Sequence, residues 1–570
     1  MCTILLADAR AMCDIFRMAH DALPHPPVRF ETHPDRYRHM TLTFPAEYGG
    51  EVACIGLDIR EDGGLRPGYP LKLNSYDLGV DIELADAVNR VRFEHPSVKA
   101  LLVTSKKDRI FCSGANIYML GSSTHAFKVN FCKYTNETRL GLEELSAEGG
   151  VPTLAALAGT ASGGGYELAI ACDEIVLVED GSSAVSYPEA PLLAVLPGTG
   201  GLTRLTDKRK IRRDLCDAFS TVAEGVRGKR AVSWGLVDEA PPRAKFDEAV
   251  VRRTKALVAR AQRHPGAKML LGPLSPKREE SRVEYTYVTV ELDKAARTAT
   301  LTVRAPVGPE PETPVALAER GDATWLVRMA RELDDALLDL RFNEPEIGVI
   351  ALRTTGSADA VLAAEKILEV HGADGLVTEV RLLVKRVLKR LDMTAKSFFC
   401  LVEPGSCFAG TLLEILLAAD RVFMKDVDGV TVQVSHAQSG IFPMGNGLSR
   451  LESRFLGNPT QVGKLLENKA PLATQAAFEA GLVTFAPDDI DWDDEVRIAF
   501  EERAAMSPDA MTGMEQNLRF GGPETLETKI FARLSAWQNW IFQRPNAVGE
   551  KGALTLYGRP ERPEFDFRRT

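Results

Sequence analysis

Two glutamates and two loops of small residues are the parts of this 570-residue chain whose types and spacing suit chemistry. Glu167 closes the run Gly163-Gly164-Gly165-Tyr166-Glu167, directly before the apolar stretch LAIA. Glycines let a backbone approach a ligand closely, and the first N–H groups of a helix lack internal acceptors. Such donors, helped by the helix dipole, suit an oxyanion. A second donor is available from Phe111-Cys112-Ser113-Gly114-Ala115-Asn116 if the two loops converge. Two N–H groups aimed at one thioester oxygen would stabilise an enolate. Glu189, in PEAPL and followed by PGTGG at 197–201, then completes an acid/base pair with Glu167. Singly, each feature has a plainer reading. Three glycines can serve tight helix packing, and a lone glutamate is usually a surface group. The combination favours chemistry.

Loops hold such groups only when strands and helices pin their ends. VACIGLDI (52–59) and VKALLVTS (98–105) read as buried strands, and VDIELADAVNRVRF (80–93) has apolar positions at helical spacing. PTLAALAG (152–159), DEIVLVED (173–180) and RAVSWGLVDEA (230–240) continue a strand–helix alternation. The pattern predicts an α/β layered fold. THAFKVNFCKYTNETRLGLEEL (124–145) is long and helical in pattern.

The chain then begins again. TATLTVRAP (298–306) parallels the strand at 52–59, and the segment 332–356 parallels 83–107. LLEILLAADRVFM (412–424) parallels YELAIACDEIVLV (166–178). PMGNGLSRL (443–451) parallels PGTGGLTRL (197–205), and FEAGLVTFAP (478–487) parallels VSWGLVDEAP (232–241). This order predicts an extension at 1–40, a first copy at 41–271, a linker at 272–282, a second copy at 283–490 and a helical region at 491–570.

Composition narrows the function classes. Lysine plus arginine is 69 and aspartate plus glutamate 79, so 69 − 79 leaves a net charge of −10. That balance argues against nucleic acid as the partner. No apolar run approaches the roughly 18 residues of a membrane helix. The nine cysteines include no CxxC pair, which argues against a disulfide framework or a zinc ribbon. A reduced, cytoplasmic setting is the expectation. No G-x-G-x-x-G opens a helix with a later ribose acid, so a dinucleotide fold is not supported.

FCSGAN, ASGGGYELAIACD and PEAPL…PGTGGLTRL, in this order, resemble the crotonase (enoyl-CoA hydratase/isomerase) superfamily over about 52–240. The resemblance implies tandem crotonase-like ββα-spiral domains, the second degenerate, with a helical C-terminal region. It implies an acyl-CoA substrate and an oxyanion hole at Ala115 and Gly164, with Glu167 and Glu189 as the acid/base pair. No metal is implied, and no cofactor beyond the CoA moiety of the substrate. Lys106, Lys107 and Arg109 precede the first loop and could meet CoA phosphates. Asn116 and Tyr118 stand where the family often has aspartate and lysine, so Asn116 is a further candidate for binding CoA. Cys132 falls where crotonases line the acyl pocket. It could be a weak proton donor or a polarizable wall there, and a small buried hydrophobe is its plainer role. Crotonases usually trimerise, but an internal duplication could replace one neighbour, so a homodimer is expected.

The length and the spelling SKKDRIFCSGANIYML are most similar to a ring-opening branch of the superfamily. That branch implies conversion of 2,3-epoxy-2,3-dihydrobenzoyl-CoA and two waters to 3,4-didehydroadipyl-CoA semialdehyde and formate. A plain enoyl-CoA hydratase or isomerase is the alternative within enzymes, and a non-catalytic acyl-CoA-binding protein is the alternative outside them. In the second copy Gly410 and Glu414 persist, while Thr411 and Leu412 replace two glycines and Ser435 and His436 stand where a carboxylate would be. That half is expected to be a scaffold.

Overall fold

A computed structural model describes residues 26–570. Most of the expected 1–40 extension therefore lies outside the described residues, and the first strand starts at Met40. The chain divides into two compact units between Leu271 and Gly272.

The first unit is built on a five-stranded sheet. Its strands are β1 (Met40–Thr43), β2 (Val52–Leu57), β3 (Ala100–Ser105), β5 (Thr153–Leu157) and β7 (Glu174–Leu177), adjacent in that order. Only the β1–β2 pair is antiparallel. A parallel sheet covered on both faces needs continuous apolar strands, and every residue of VACIGL in β2 and TLAAL in β5 is buried. One face packs on Phe246, Val250 and Leu257 of a helix spanning Phe246–Arg260. Helix α1 (Leu78–Glu94) starts where the Asp77 carboxylate accepts the N–H groups of Gly79 and Val80. Helix α2 (His125–Ala147) is capped by Thr124 in the same way. The two helices are pinned together by a fully buried ion pair, Arg139 to Asp81, at 2.5 Å.

A second, three-stranded parallel sheet decides where the chemistry goes. It is made of β4 (Arg109–Cys112), β6 (Gly159–Ser162) and β8 (Val185–Ser186). Each strand ends at the same edge and hands the chain to one motif. β4 leads into Ser113–Asn116, β6 into Gly163 and helix α3 (Gly164–Ala171), and β8 into Tyr187–Glu189. Motifs some 25 to 50 residues apart in sequence are thereby neighbours in space. The carboxyl ends of parallel strands are the usual ligand side of such sheets.

The second unit carries a seven-stranded sheet. β12 (Thr298–Arg304), β13 (Val349–Thr355), β14 (Ser397–Val402) and β15 (Arg421–Met424) run parallel. β11 (Val288–Asp293), β10 (Arg282–Glu284) and β9 (Lys277–Arg278) extend it antiparallel. The stretch 272–282, expected as a linker, is thus partly sheet. Within it, Arg278 pairs with Asp335 at 2.9 Å and Asp339 at 3.1 Å. No counterpart of the β4–β6–β8 sheet is formed among the described residues of this unit; Ala409 and Gln433 share a single parallel bridge. Several helices follow, including Trp492–Ala505, Pro508–Arg519 and Leu526–Arg533.

Candidate active site

Two loops meet where two glycines take left-handed backbone, Gly114 at φ 90° and Gly163 at φ 53°. A Cβ on Gly114 would lie 2.7 Å from the Gly164 nitrogen and 2.9 Å from the Ser162 carbonyl oxygen, so no side chain fits there. The Tyr76 N–H donates to the Gly114 carbonyl at 2.9 Å, and the Asn116 N–H donates to the Tyr76 carbonyl at 2.8 Å. Ala115 lies between these two bonds. Among the described residues, neither the Ala115 N–H nor the Gly164 N–H has a protein acceptor. The third glycine serves packing, as its plainer reading held: a Cβ on Gly165 would lie 2.1 Å from the Cys112 carbonyl oxygen. Asn74 tethers the approach to the first loop by donating to the Ser105 hydroxyl and the Phe111 carbonyl, both at 3.0 Å.

The glutamates sit differently. Glu167 is buried in the first turn of α3, and its Oε1 accepts the N–H groups of Thr199 and Gly201, each at 2.8 Å. The PGTGG loop therefore grips one carboxylate with its backbone. Arg204 holds that loop in turn, donating to the Thr199 carbonyl at 2.6 Å while pairing with Glu143. Glu189 opens a short turn, and a Cβ on Gly163 would touch its Oε1 at 2.4 Å. Its Oε2 is buried without a partner. Burial, with a smaller push from Glu167, raises the Glu189 carboxyl to about 7. The pair thus separates into a hydrogen-bonded carboxylate seat and a group that holds its proton near neutrality, the division that acid/base work requires.

Other expected residues fall as follows. Cys132, on α2, faces the PGTGG loop, its Sγ 3.1 Å from where a Cβ of Gly198 would be. Burial first, then Glu167 and Asp81, push its thiol up to about 11, so it is a thiol and not a thiolate near neutral pH. Lys106, on the turn before β4, and Arg109, the first residue of β4, are both exposed. Asn116 has a structural role. It is buried, its Oδ1 caps the helix Ile117–Ser122 by accepting the Met119 N–H, and its amide donates to Pro70 and Ser75. With these bonds it anchors the first loop.

Tyr76 and Tyr187 are the site residues that motif reading missed. Each is fully buried beside the glutamates with no partner for its hydroxyl. A Cβ on Gly164 would lie 2.2 Å from the Tyr76 hydroxyl, and one on Gly201 would lie 2.3 Å from that of Tyr187. The available signals were adjacency: Tyr187 lies two residues before Glu189, and Tyr76 directly precedes the Asp77 cap.

In the second unit, the segment parallel in sequence to 166–178 begins near the helix start at Gly410, which has left-handed backbone at φ 52°, and a carboxylate sits on that helix start. The Glu365 carboxylate accepts the Thr411 N–H at 2.6 Å, the Thr411 hydroxyl at 2.7 Å and the Ser435 hydroxyl at 2.5 Å. Glu414 is locked by Gln438 at 3.0 Å and Arg450 at 2.9 Å.

This arrangement is that of an enoyl-CoA hydratase/isomerase domain, and the family model of that description matches residues 68–302. The benzoyl-CoA-dihydrodiol lyase of Aromatoleum evansii is 54% identical over 546 residues, covering 95% of this chain and 98% of that protein. The chain belongs to that lyase family, within the crotonase superfamily. The fatty acid oxidation complex subunit alpha of Shewanella loihica is 30% identical over 227 residues, 40% of this chain and 26% of that one. An enoyl-CoA hydratase structure from Geobacillus kaustophilus is 29% identical with a TM-score of 0.34, covering 40% of this chain and 76% of that one.

Proposed function

We infer that this chain is a carbon–carbon lyase that opens the ring of 2,3-epoxy-2,3-dihydrobenzoyl-CoA. With two waters it forms 3,4-didehydroadipyl-CoA semialdehyde and formate, a step of aerobic benzoate degradation. The observation that carries this reading is 54% identity spanning 98% of a benzoyl-CoA-dihydrodiol lyase.

The site supports the chemistry on physical grounds. When a ring carbon leaves as formate, the carbon bonded to the thioester takes the electron pair, and its charge moves to the thioester oxygen. The Ala115 and Gly164 N–H groups hold that oxygen. Removing one such donor costs about 100- to 1,000-fold in rate in comparable sites. Glu167 and Glu189 activate the two waters and return protons, exchanging base and acid roles as the reaction proceeds. Cys132 supplies a protonated thiol or a polarizable wall beside the ring. Lys106 and Arg109 meet CoA phosphates. The steps are hydrolytic and need no cofactor beyond the CoA moiety of the substrate. The second unit is a degenerate copy of the first and acts as scaffold. The proposed setting is the cytoplasm and the proposed assembly a homodimer.

The test is formate release from enzymatically generated 2,3-epoxybenzoyl-CoA, with crotonyl-CoA hydration run beside it. Formate with little crotonyl-CoA turnover is the expected result. Hydration without formate would keep the crotonase site and remove the aromatic substrate, and neither product would leave a binding protein.

A further inference from the structure

Buried and half-buried tyrosines in the first unit spend hydroxyls on the fold. Tyr166 donates to the Leu236 carbonyl at 2.7 Å, Tyr69 to Asp77 at 2.7 Å and Tyr37 to Asp86 at 2.5 Å. Tyr76 and Tyr187 break the rule, and both lie beside the glutamate pair. Buried polar atoms without partners are rare enough in native proteins that each calls for an explanation. Near this site four occur together: the two hydroxyls, Glu189 Oε2 and Thr199 Oγ1.

Tyr76 is placed to do more than fill space. Its backbone is hydrogen-bonded on both sides of Ala115, to Gly114 and to Asn116, so it moves with the first loop. Its hydroxyl presses on Gly164, where a methyl group would not fit. It therefore touches both segments that carry open N–H groups. Its ring packs on Phe131, with centroids 6.0 Å apart, and under the Arg139 guanidinium, 5.2 Å from the centroid. A phenylalanine would keep both contacts, so packing does not account for the hydroxyl. Burial holds the phenol far above its usual titration range, leaving a permanent donor.

We propose that the Tyr76 hydroxyl is a third hydrogen-bond donor to the thioester oxygen, beside the Ala115 and Gly164 N–H groups. The inference rests on reading those two groups as the oxyanion hole, and no proton is transferred. The donor is absent from the free protein's internal bonding because its acceptor arrives with the substrate. As the ring carbon becomes a carbanion, the bond strengthens with the charge on oxygen.

The experiment compares wild type with Tyr76→Phe in the full chain. Turnover on the epoxide substrate is measured with melting temperature, and benzoyl-CoA labelled at the thioester carbonyl serves as an unreactive probe for difference infrared spectroscopy. The expected result is a fall in kcat of roughly 10- to 1,000-fold. KM changes little, and the bound carbonyl stretch moves back toward its value in water. The melting temperature is unchanged or higher, because an unpaired buried hydroxyl has been removed. An unchanged kcat with an unchanged carbonyl frequency would overturn the proposal. So would a fall in kcat with lost thermal stability and no carbonyl shift, since that is damage to packing. The probe needs no ring opening, so a wild-type protein that polarises benzoyl-CoA yet releases no formate would sink the substrate assignment and leave the Tyr76 result readable.

Discussion

Glu189 holds its proton at pH values where an ordinary glutamate has lost it, because burial and the charge on Glu167 both oppose ionisation. In the unfolded chain the same group titrates near 4.5. Below that value both states are protonated and Glu189 has no effect on stability. As pH rises toward 7 the unfolded state releases the proton first, so stability falls. Above 7 a constant deficit of roughly 3 kcal/mol remains before solvent screening reduces it. Glu189→Gln is expected to melt higher than wild type above pH 7 and to converge with it below about pH 4.5. The same substitution should lower turnover by about 100- to 10,000-fold and remove an inflection near pH 7 from the kcat profile. A pH titration of melting temperature alongside steady-state rates checks both. For Glu167→Gln, loss of turnover by a similar factor, roughly 100-fold or more, is expected. Retention of full rate by both variants would remove the acid/base pair.

At the scale of elements, the informative feature is the small sheet β4–β6–β8, whose three ends deliver Ala115, Gly164 and Glu189 to one place. The sequence showed the motifs and their order. It did not show the sheet, because β8 is only two residues long and β6 reads as the tail of PTLAALAG. The long elements were legible: the helix read at 80–93 runs Leu78–Glu94, and the strand read at 98–105 runs Ala100–Ser105. The cap made by Asn116 was not legible, because a cap and a ligand contact present the same polar residue, and the bond from the Met119 N–H shows the cap. Asn116→Ala is expected to destabilise the protein by about 1 kcal/mol through the lost cap. Denaturant unfolding measures this, and an effect confined to KM would point to a CoA contact instead. Gly165→Ala drives a methyl onto the Cys112 carbonyl, so α3 must shift. We expect a loss of about 1–3 kcal/mol together with lower kcat.

Across the whole molecule, the surroundings of Glu167 and Glu189 in the first unit and of Glu414 in the second treat buried polar groups differently. The first leaves N–H groups, hydroxyls and a carboxylate oxygen unpaired around Glu167 and Glu189. The second encloses its charges: Arg450 pairs with Asp392 at 2.6 Å and Glu414 at 2.9 Å, and all three are buried. Arg450→Ala strands two carboxylates, and a loss of about 3–5 kcal/mol is expected. Equilibrium unfolding checks it, and a near-neutral result would mean the carboxylates are protonated. The proposed homodimer is tested by sedimentation equilibrium, where a monomer mass would exclude it. The parallel segments were visible in the sequence, whereas the partner of Thr411 was not, since Glu365 lies 46 residues upstream in a stretch that resembles no motif.

Glu365 has a further consequence. An anion carried by the chain itself competes at an effective concentration that no free ligand matches. On the degenerate-copy reading, acyl-CoA titration should therefore saturate at one equivalent per chain however high the ligand is raised. Restoring glycines at Thr411 and Leu412 would not reawaken that half, because the resident carboxylate would still occupy the seat. Reversal needs an eviction as well as a repair.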